Sequence, residues 1–117
     1  MTSVHGNVIE IHSEEQFKDL VKEAFAQGRL VVVDTYAAWC GPCKMIAPFF
    51  VELSIQHPEI LFLKVDVDEC EDIASALGVS AMPTFYFFKD GNMVKEITGA
   101  DKTSILRAIG DFIITRA

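Results

Sequence analysis

Two cysteines are separated by two residues in the stretch Trp-Cys-Gly-Pro-Cys-Lys at residues 39–44. An apolar, strand-like run precedes them and a helix-like run, residues 44–56, follows them, which predicts a strand-to-helix turn at the pair. Cys40 then lies at or near a helix N-terminus, where unpaired N–H groups and the helix dipole favour negative charge. The thiolate is the form of cysteine that attacks disulfides. We therefore expect thiol–disulfide exchange, with Cys43 close enough to complete it.

The sequence around this pair resembles the thioredoxin family, in particular its small cytosolic eukaryotic members. The six residues follow Val-Val-Asp and precede a helix-like run that contains Pro48, and the resemblance extends over residues 8–114. It implies that Cys40 is the nucleophile, that Cys43 resolves the mixed disulfide, and that the two form a redox-active disulfide.

Gly41 and Pro42 are expected to shape the turn between the cysteines. In the family, proline at this position accompanies a reducing poise, whereas histidine accompanies oxidases and isomerases. Two alternatives are a pair of ordinary buried thiols and half of a zinc site. A zinc site needs a second pair of ligands at suitable spacing, but Cys70 stands alone and the histidines are scattered, so we predict no metal.

Asp34 and Lys64 are charged residues inside apolar runs. A carboxylate between Val-Val-Val and Thr-Tyr should be buried, with a raised pKa that allows proton exchange near neutral pH. The resemblance implies that Asp34 takes the proton of Cys43 during resolution; a carboxylate satisfied by a structural hydrogen bond is the alternative. Lys64 is expected to shape the site by pairing with Asp34 from a neighbouring strand, or else to extend into solvent.

Residues near the cysteines are predicted to bind the substrate protein. By resemblance, the Met82-Pro83 peptide bond is cis and the Met82 backbone pairs with an extended client segment; a trans proline that begins an edge strand is the alternative. Trp39 is expected to be half exposed, and the resemblance implies that Asp68 accepts its N–H. We call the predicted apolar surface the docking patch, and its members are Trp39, Gly41, Pro42, Met82, Pro83, Gly99 and Ala100.

A few residues depart from the family pattern. Thr35 and Tyr36 stand where phenylalanine and, in bacterial members, tryptophan are common, which should alter packing near the site and leave the thiol chemistry unchanged. Gly78 and Ala81 stand where animal members often carry cysteines, so Cys70 lacks a near partner. It is either an incidental cysteine or a single oxidisable or dimer-forming thiol.

The order of apolar runs is β-α-β-α-β followed by α-β-β-α. Together with the resemblance, this order predicts an α/β thioredoxin fold, a five-stranded mixed sheet flanked by four helices. Asp90-Gly91 predicts the hairpin turn near its end. Residues 1–7 are predicted to be a loosely ordered N-terminal segment, and residues 8–117 a single thioredoxin domain.

Composition limits the classes of partner and location. Half of the 117 residues are apolar, and the net charge of −7 argues against nucleic acid as a partner. No run of roughly 18 apolar residues is present, which predicts no membrane span, and the first residues lack the pattern of a signal peptide. We therefore predict a cytoplasmic protein.

The resemblance implies a protein-disulfide reductase, an electron carrier that keeps protein thiols reduced. It implies no bound cofactor: NADPH would be used through a thioredoxin reductase partner, in agreement with the lack of a dinucleotide motif in the sequence. The implied clients are peroxiredoxin, ribonucleotide reductase and methionine sulfoxide reductase, and we predict a monomer. The alternatives are a non-catalytic, redox-dependent binding module that uses the docking patch, and a thiol oxidase or isomerase, against which Pro42 weighs.

Overall fold

The computed structural model describes residues 5–116, and a five-stranded sheet with four helices accounts for most of them. The elements are β1 (Val8–Glu10), α1 (Glu14–Ala26), β2 (Val31–Tyr36), α2 (Gly41–Gln56), β3 (Leu61–Asp66), α3 (Glu71–Leu77), β4 (Thr84–Lys89), β5 (Asn92–Thr98) and α4 (Lys102–Arg116). The strand order is β1-β3-β2-β4-β5. The first three are parallel to one another, whereas β4 and β5 pair antiparallel. The predicted α/β fold with a mixed sheet is therefore confirmed.

Strand β2 lies at the centre of the sheet and is covered on both faces. Alternate residues of a strand point to opposite faces. Val32 belongs to the apolar cluster that contains Phe50 of α2 and Ile109 of α4. Val31 belongs to the cluster on the other face, which is covered by α1 and α3 and contains Ile73. Both faces of β2 are thus withdrawn from water, as its continuous apolar sequence predicts.

Local signals in the sequence explain how the elements begin and turn. Ser13 precedes α1 and accepts a hydrogen bond from the Gln16 N–H at 3.1 Å, so it caps the helix. Helix α2 begins at Gly41, earlier than the helix-like run suggested. At the turn between β4 and β5, Asp90 and Gly91 have φ angles of 54° and 81°. Two successive positive φ angles are typical of a tight hairpin turn.

The N-terminal prediction falls partly outside the described residues. Residues 1–4 and 117 lie there, so the predicted loosely ordered segment, residues 1–7, and the domain limit at residue 117 stay predictions. Within the described part, the Asn7 N–H donates to Ser54 Oγ at 2.9 Å, and Asn7 Nδ2 donates to the Ser54 carbonyl at 3.0 Å. None of the helices within residues 5–116 has the length and apolar character needed to cross a bilayer.

Candidate active site

The two cysteines lie where β2 leads into α2. Cys40 is the N-cap of the helix, and its Sγ accepts a hydrogen bond from the Cys43 N–H at 3.2 Å. The two residues are joined by a disulfide, with Cα atoms 5.3 Å apart. Their exposed fractions in this oxidised form are 5% and 4%. The sulfur of Cys40 therefore occupies the end of the helix at which unpaired N–H groups stabilise a negative charge.

The turn between the cysteines is the exposed start of the helix. Gly41 and Pro42 are the first two helical residues, and both are exposed. Proline is well tolerated there, because the N–H that it lacks would have no intrahelical partner and its fixed φ suits the helix. The two residues thus begin α2 without the loss of a helical hydrogen bond.

Asp34 is a buried carboxylate in the central strand. Its exposed fraction is 2%, and its Oδ1 has no hydrogen-bond partner among the described residues. Burial raises the pKa of Asp34 to about 7; the charge of Lys64 opposes this effect and that of Glu10 adds to it. The unpaired oxygen argues against a purely structural carboxylate. A group of this pKa can both accept and release a proton near neutral pH.

Lys64 lies on the strand beside Asp34, but its ammonium is directed elsewhere. The two residues are register partners in β3 and β2, so the predicted adjacency of their strands is confirmed. The Lys64 ammonium lies 4.4 Å from the centroid of the Tyr36 ring. Among the ion pairs formed by residues 5–116, a direct Lys64–Asp34 pair is not found. The lysine thus lowers the pKa of Asp34 from a distance.

The loop before β4 brings Met82 and Pro83 to the cysteines. The Met82-Pro83 bond is cis, as the resemblance implies, and the Met82 carbonyl oxygen lies 3.8 Å from Cys40 Sγ. Within the described chain, no main-chain group forms a hydrogen bond with the backbone of Met82. The Gly99 N–H donates to the Pro83 carbonyl at 2.7 Å, which fixes the next loop beside this one. The Met82 backbone is therefore available to an incoming extended segment.

The rest of the docking patch surrounds this loop. Trp39 is 69% exposed, more than expected, and its Nε1–H donates to Asp68 Oδ2 at 3.0 Å. Ala100 is exposed, Met82 and Gly99 are half-buried, and Pro83 is buried. The predicted patch residues thus lie on three adjoining segments, which are the cysteine turn, the Met82 loop and the Gly99 loop.

Two polar contacts near the site were missed by sequence reasoning. The Tyr36 hydroxyl donates to Glu10 Oε2 at 2.8 Å. The Thr35 hydroxyl donates to the Thr84 carbonyl at 2.7 Å. Both tie β2 to residues distant in sequence. The sequence signals these contacts only by the occurrence of polar residues in strand-like runs. It does not identify their partners, because strand register cannot be read from one run alone.

Cys70 is separate from the active pair. It is 6% exposed, and its Sγ donates a hydrogen bond to the Ile11 carbonyl at 3.4 Å. Burial raises the pKa of its thiol, which disfavours the reactive thiolate. Within residues 5–116, no group of three or more His, Cys, Asp or Glu side chains could hold a metal ion.

Comparison with known proteins agrees with this geometry. The family model "Thioredoxin" matches residues 8–111. A "Thioredoxin H-type" protein of Picea mariana is 52% identical over 104 residues, which cover 89% of this chain and 83% of that protein. The crystal structure of a poplar thioredoxin h superposes with a TM-score of 0.88 at 39% identity, covering 92% of this chain and 97% of that one. A structure from work on the thiol resolving mechanism in yeast mitochondrial 1-Cys peroxiredoxin via glutathione/thioredoxin systems gives a TM-score of 0.82 at 38% identity, covering 93% and 99%.

Proposed function

The chain belongs to the thioredoxin family and is a thiol–disulfide oxidoreductase that reduces protein disulfides by dithiol exchange, and we propose how its residues divide this work. Cys40 is the nucleophile and Cys43 the resolving thiol. The observation that carries this assignment is the N-cap position of Cys40, whose Sγ accepts the Cys43 N–H. A thiolate there gains from that N–H and from the helix dipole.

The proposed reaction is a two-electron exchange in two displacements. The Cys40 thiolate attacks one sulfur of the client disulfide, forms a mixed disulfide, and releases the other client sulfur as a thiolate. Cys43 then loses its proton and attacks Cys40 Sγ, which releases the second client thiolate. The client disulfide is reduced, and the protein ends with the Cys40–Cys43 disulfide.

Asp34 is the proposed acceptor of the Cys43 proton. A base is needed at this step because the thiolate, and not the thiol, displaces the client sulfur. A pKa of about 7 gives Asp34 an ionised fraction at neutral pH and makes it a stronger base than an ordinary carboxylate. Its burial keeps the acquired proton from bulk water until the exchange is complete.

The docking patch is the proposed client surface. An extended client segment beside the Met82 backbone would form main-chain hydrogen bonds like an added strand and bring its disulfide near Cys40 Sγ. Trp39 and Ala100 add exposed, uncharged area on either side. Recognition through backbone and apolar contacts suits a reductase that acts on many clients.

The proposed partners are a thioredoxin reductase, which returns electrons from NADPH, and disulfide-containing clients. Peroxiredoxin is supported among these by the similarity to a structure from work on a yeast mitochondrial 1-Cys peroxiredoxin. Ribonucleotide reductase and methionine sulfoxide reductase are further proposed clients. We also propose a monomer that acts in the cytoplasm, where a reductase can keep the pair reduced.

Insulin reduction with NADPH and thioredoxin reductase tests this function. Cys40→Ser should abolish turnover, whereas Cys43→Ser should accumulate a mixed disulfide with the client. Cys70→Ser is the matched control, because it removes the third cysteine at a buried position and should leave turnover unchanged. Turnover that survives Cys40→Ser would contradict the assignment of the nucleophile.

A further inference from the structure

Three charged residues form one row across three neighbouring strands. Glu10 of β1 is the register partner of Lys64 of β3, and Lys64 is the register partner of Asp34 of β2. Register partners on parallel strands project from the same face of the sheet. The Lys64 side chain therefore begins between two carboxylates, one half-buried and one buried. We call these three residues the charged row.

Tyr36 connects the charged row to the cysteines. Its hydroxyl donates to Glu10 at 2.8 Å, and its ring centroid lies 4.4 Å from Lys64 Nζ. The same side chain packs against the cluster that contains Cys40 and Cys43. Tyr36 thus fixes the Glu10 carboxylate and offers the Lys64 ammonium an aromatic face.

We propose that Glu10 is a positioning residue that, fixed by Tyr36, holds the Lys64 ammonium away from Asp34 and so keeps Asp34 able to accept and release a proton at neutral pH. The Lys64 ammonium contacts the Tyr36 ring and, among residues 5–116, forms a direct ion pair with neither the Glu10 nor the Asp34 carboxylate, so each carboxylate attracts it through space. Weaker attraction on the Glu10 side lets Lys64 approach Asp34 and stabilise its ionised form. The inference rests on the proposed function, in which Asp34 takes the Cys43 proton.

The surroundings of Asp34 leave few other groups to control it. Its register partner on β4 is the apolar Phe85. The apolar cluster on this face of the sheet, which contains Phe85, also contains Ile46 of α2 and Ile109 of α4. The titratable Cys43 lies one helical turn before Ile46 in α2. Asp66, beside Tyr36 in the register of β3 and β2, is the remaining charged group of β1, β2 and β3 on this side, and Lys89 lies on the same side at the far end of β4. Glu10 raises and Lys64 lowers the pKa of Asp34, so a direct effect of Glu10 must be separated from its effect through Lys64 by experiment.

The titration of the Asp34 carboxyl, followed by carbon-13 NMR of the oxidised protein, tests this proposal. The thiols of the pair do not titrate in that form, and Asp34→Asn identifies the signal. Glu10→Gln removes the charge but keeps an oxygen for the Tyr36 hydroxyl, and should move the midpoint to lower pH by about half a pH unit. Lys64→Met should move it to higher pH by about one pH unit. An unchanged midpoint in Glu10→Gln would overturn the proposal.

A double variant shows whether Glu10 acts through Lys64. In the Lys64→Met background, Glu10→Gln should move the midpoint much less than in the wild type. An undiminished shift there would mean direct charge repulsion and would overturn the positioning role. Tyr36→Phe keeps the ring and removes the hydroxyl, so its midpoint should move in the same direction as that of Glu10→Gln, but less. An unmoved midpoint in Tyr36→Phe would exclude the tyrosine hydroxyl from the mechanism.

The pH profile of mixed-disulfide resolution separates this inference from the proposed function. If Asp34 is the proton acceptor, the profile of Glu10→Gln should move to lower pH together with the carboxyl titration. A moved titration with an unmoved profile would contradict the role of Asp34 in resolution but leave the control of Asp34 by Glu10 in place. The free energy of unfolding of each variant serves as the control for folding.

Discussion

The Thr35 hydroxyl donates a hydrogen bond to the main-chain carbonyl of Thr84 at 2.7 Å, and both residues are buried. The Thr84 hydroxyl in turn donates to the Ala81 carbonyl at 2.6 Å. Two threonine side chains thus connect the central strand to both ends of the loop that carries Met82 and Pro83. Since that loop lies beside Cys40, its position relative to the nucleophile depends on β2.

Thr35→Val is expected to lower the free energy of unfolding by about 1 to 2 kcal/mol, because a buried carbonyl loses its hydroxyl partner. Urea unfolding of the oxidised protein measures the change. Thr35→Ser is the matched control, because it keeps the hydroxyl and loses only a methyl group. A valine variant as stable as the wild type would show that the hydroxyl bond contributes nothing to the anchoring of the loop.

The raised pKa of Asp34 predicts a contribution to the stability of the folded protein that is lost as pH rises. Between the ordinary aspartate pKa of 3.8 and the folded value of about 7, the unfolded chain has released the proton that the folded protein retains. Unfolding in this range releases a proton. The contribution of Asp34 to the free energy of unfolding therefore falls as pH rises through this window and stays constant at higher pH. The full effect has an upper limit of about 4 kcal/mol.

Asp34→Asn should remove this contribution, because the amide stays uncharged at every pH. Relative to the wild type, the oxidised variant should gain stability steadily from about pH 4 to about pH 8. Urea unfolding at several pH values measures the difference, in which the contributions of the other ionisable groups largely cancel. Parallel stability curves for the two proteins would mean that Asp34 titrates at its ordinary value.

The sequence predicted the disulfide pair and the order of elements because those signals are local. Two cysteines at this spacing, an apolar run before them and a helical run after them lie within one short segment. The direction of the Lys64 ammonium is a different kind of property. The ammonium lies against the Tyr36 ring, and both Tyr36 and Glu10 come near Lys64 only through the pairing of three strands. A single sequence identifies a charge within a strand, but the strand register decides which group that charge meets.

Gly6→Ala tests how firmly the chain is held just before β1. Gly6 has a φ of +53°, and a Cβ there would lie 2.8 Å from Ser54 Oγ. We expect a loss of stability of about 1 kcal/mol from the strained backbone, together with a further loss from the contact. Gly28→Ala is the control: its φ is +68°, but an added Cβ meets nothing within 4 Å. Equal losses of stability for the two variants in thermal unfolding would indicate that the backbone at Gly6 shifts easily to accommodate the added methyl group, as expected for the predicted loosely ordered segment.

Ala100→Glu tests the docking patch without touching the thiol chemistry. A carboxylate on an uncharged surface must lose part of its hydration when a client covers it, so binding should weaken. We expect kcat/KM for insulin reduction to fall by about tenfold, equivalent to about 1.4 kcal/mol, mainly through KM. Ala26→Glu places the same charge at an exposed site on α1 and should change kcat/KM little.

Because dithiothreitol needs no extended docking surface, its reaction with the Cys40–Cys43 disulfide should proceed at the wild-type rate in both variants. Equal effects of the two glutamates on insulin reduction would show that the loss comes from net charge and would remove Ala100 from the client surface.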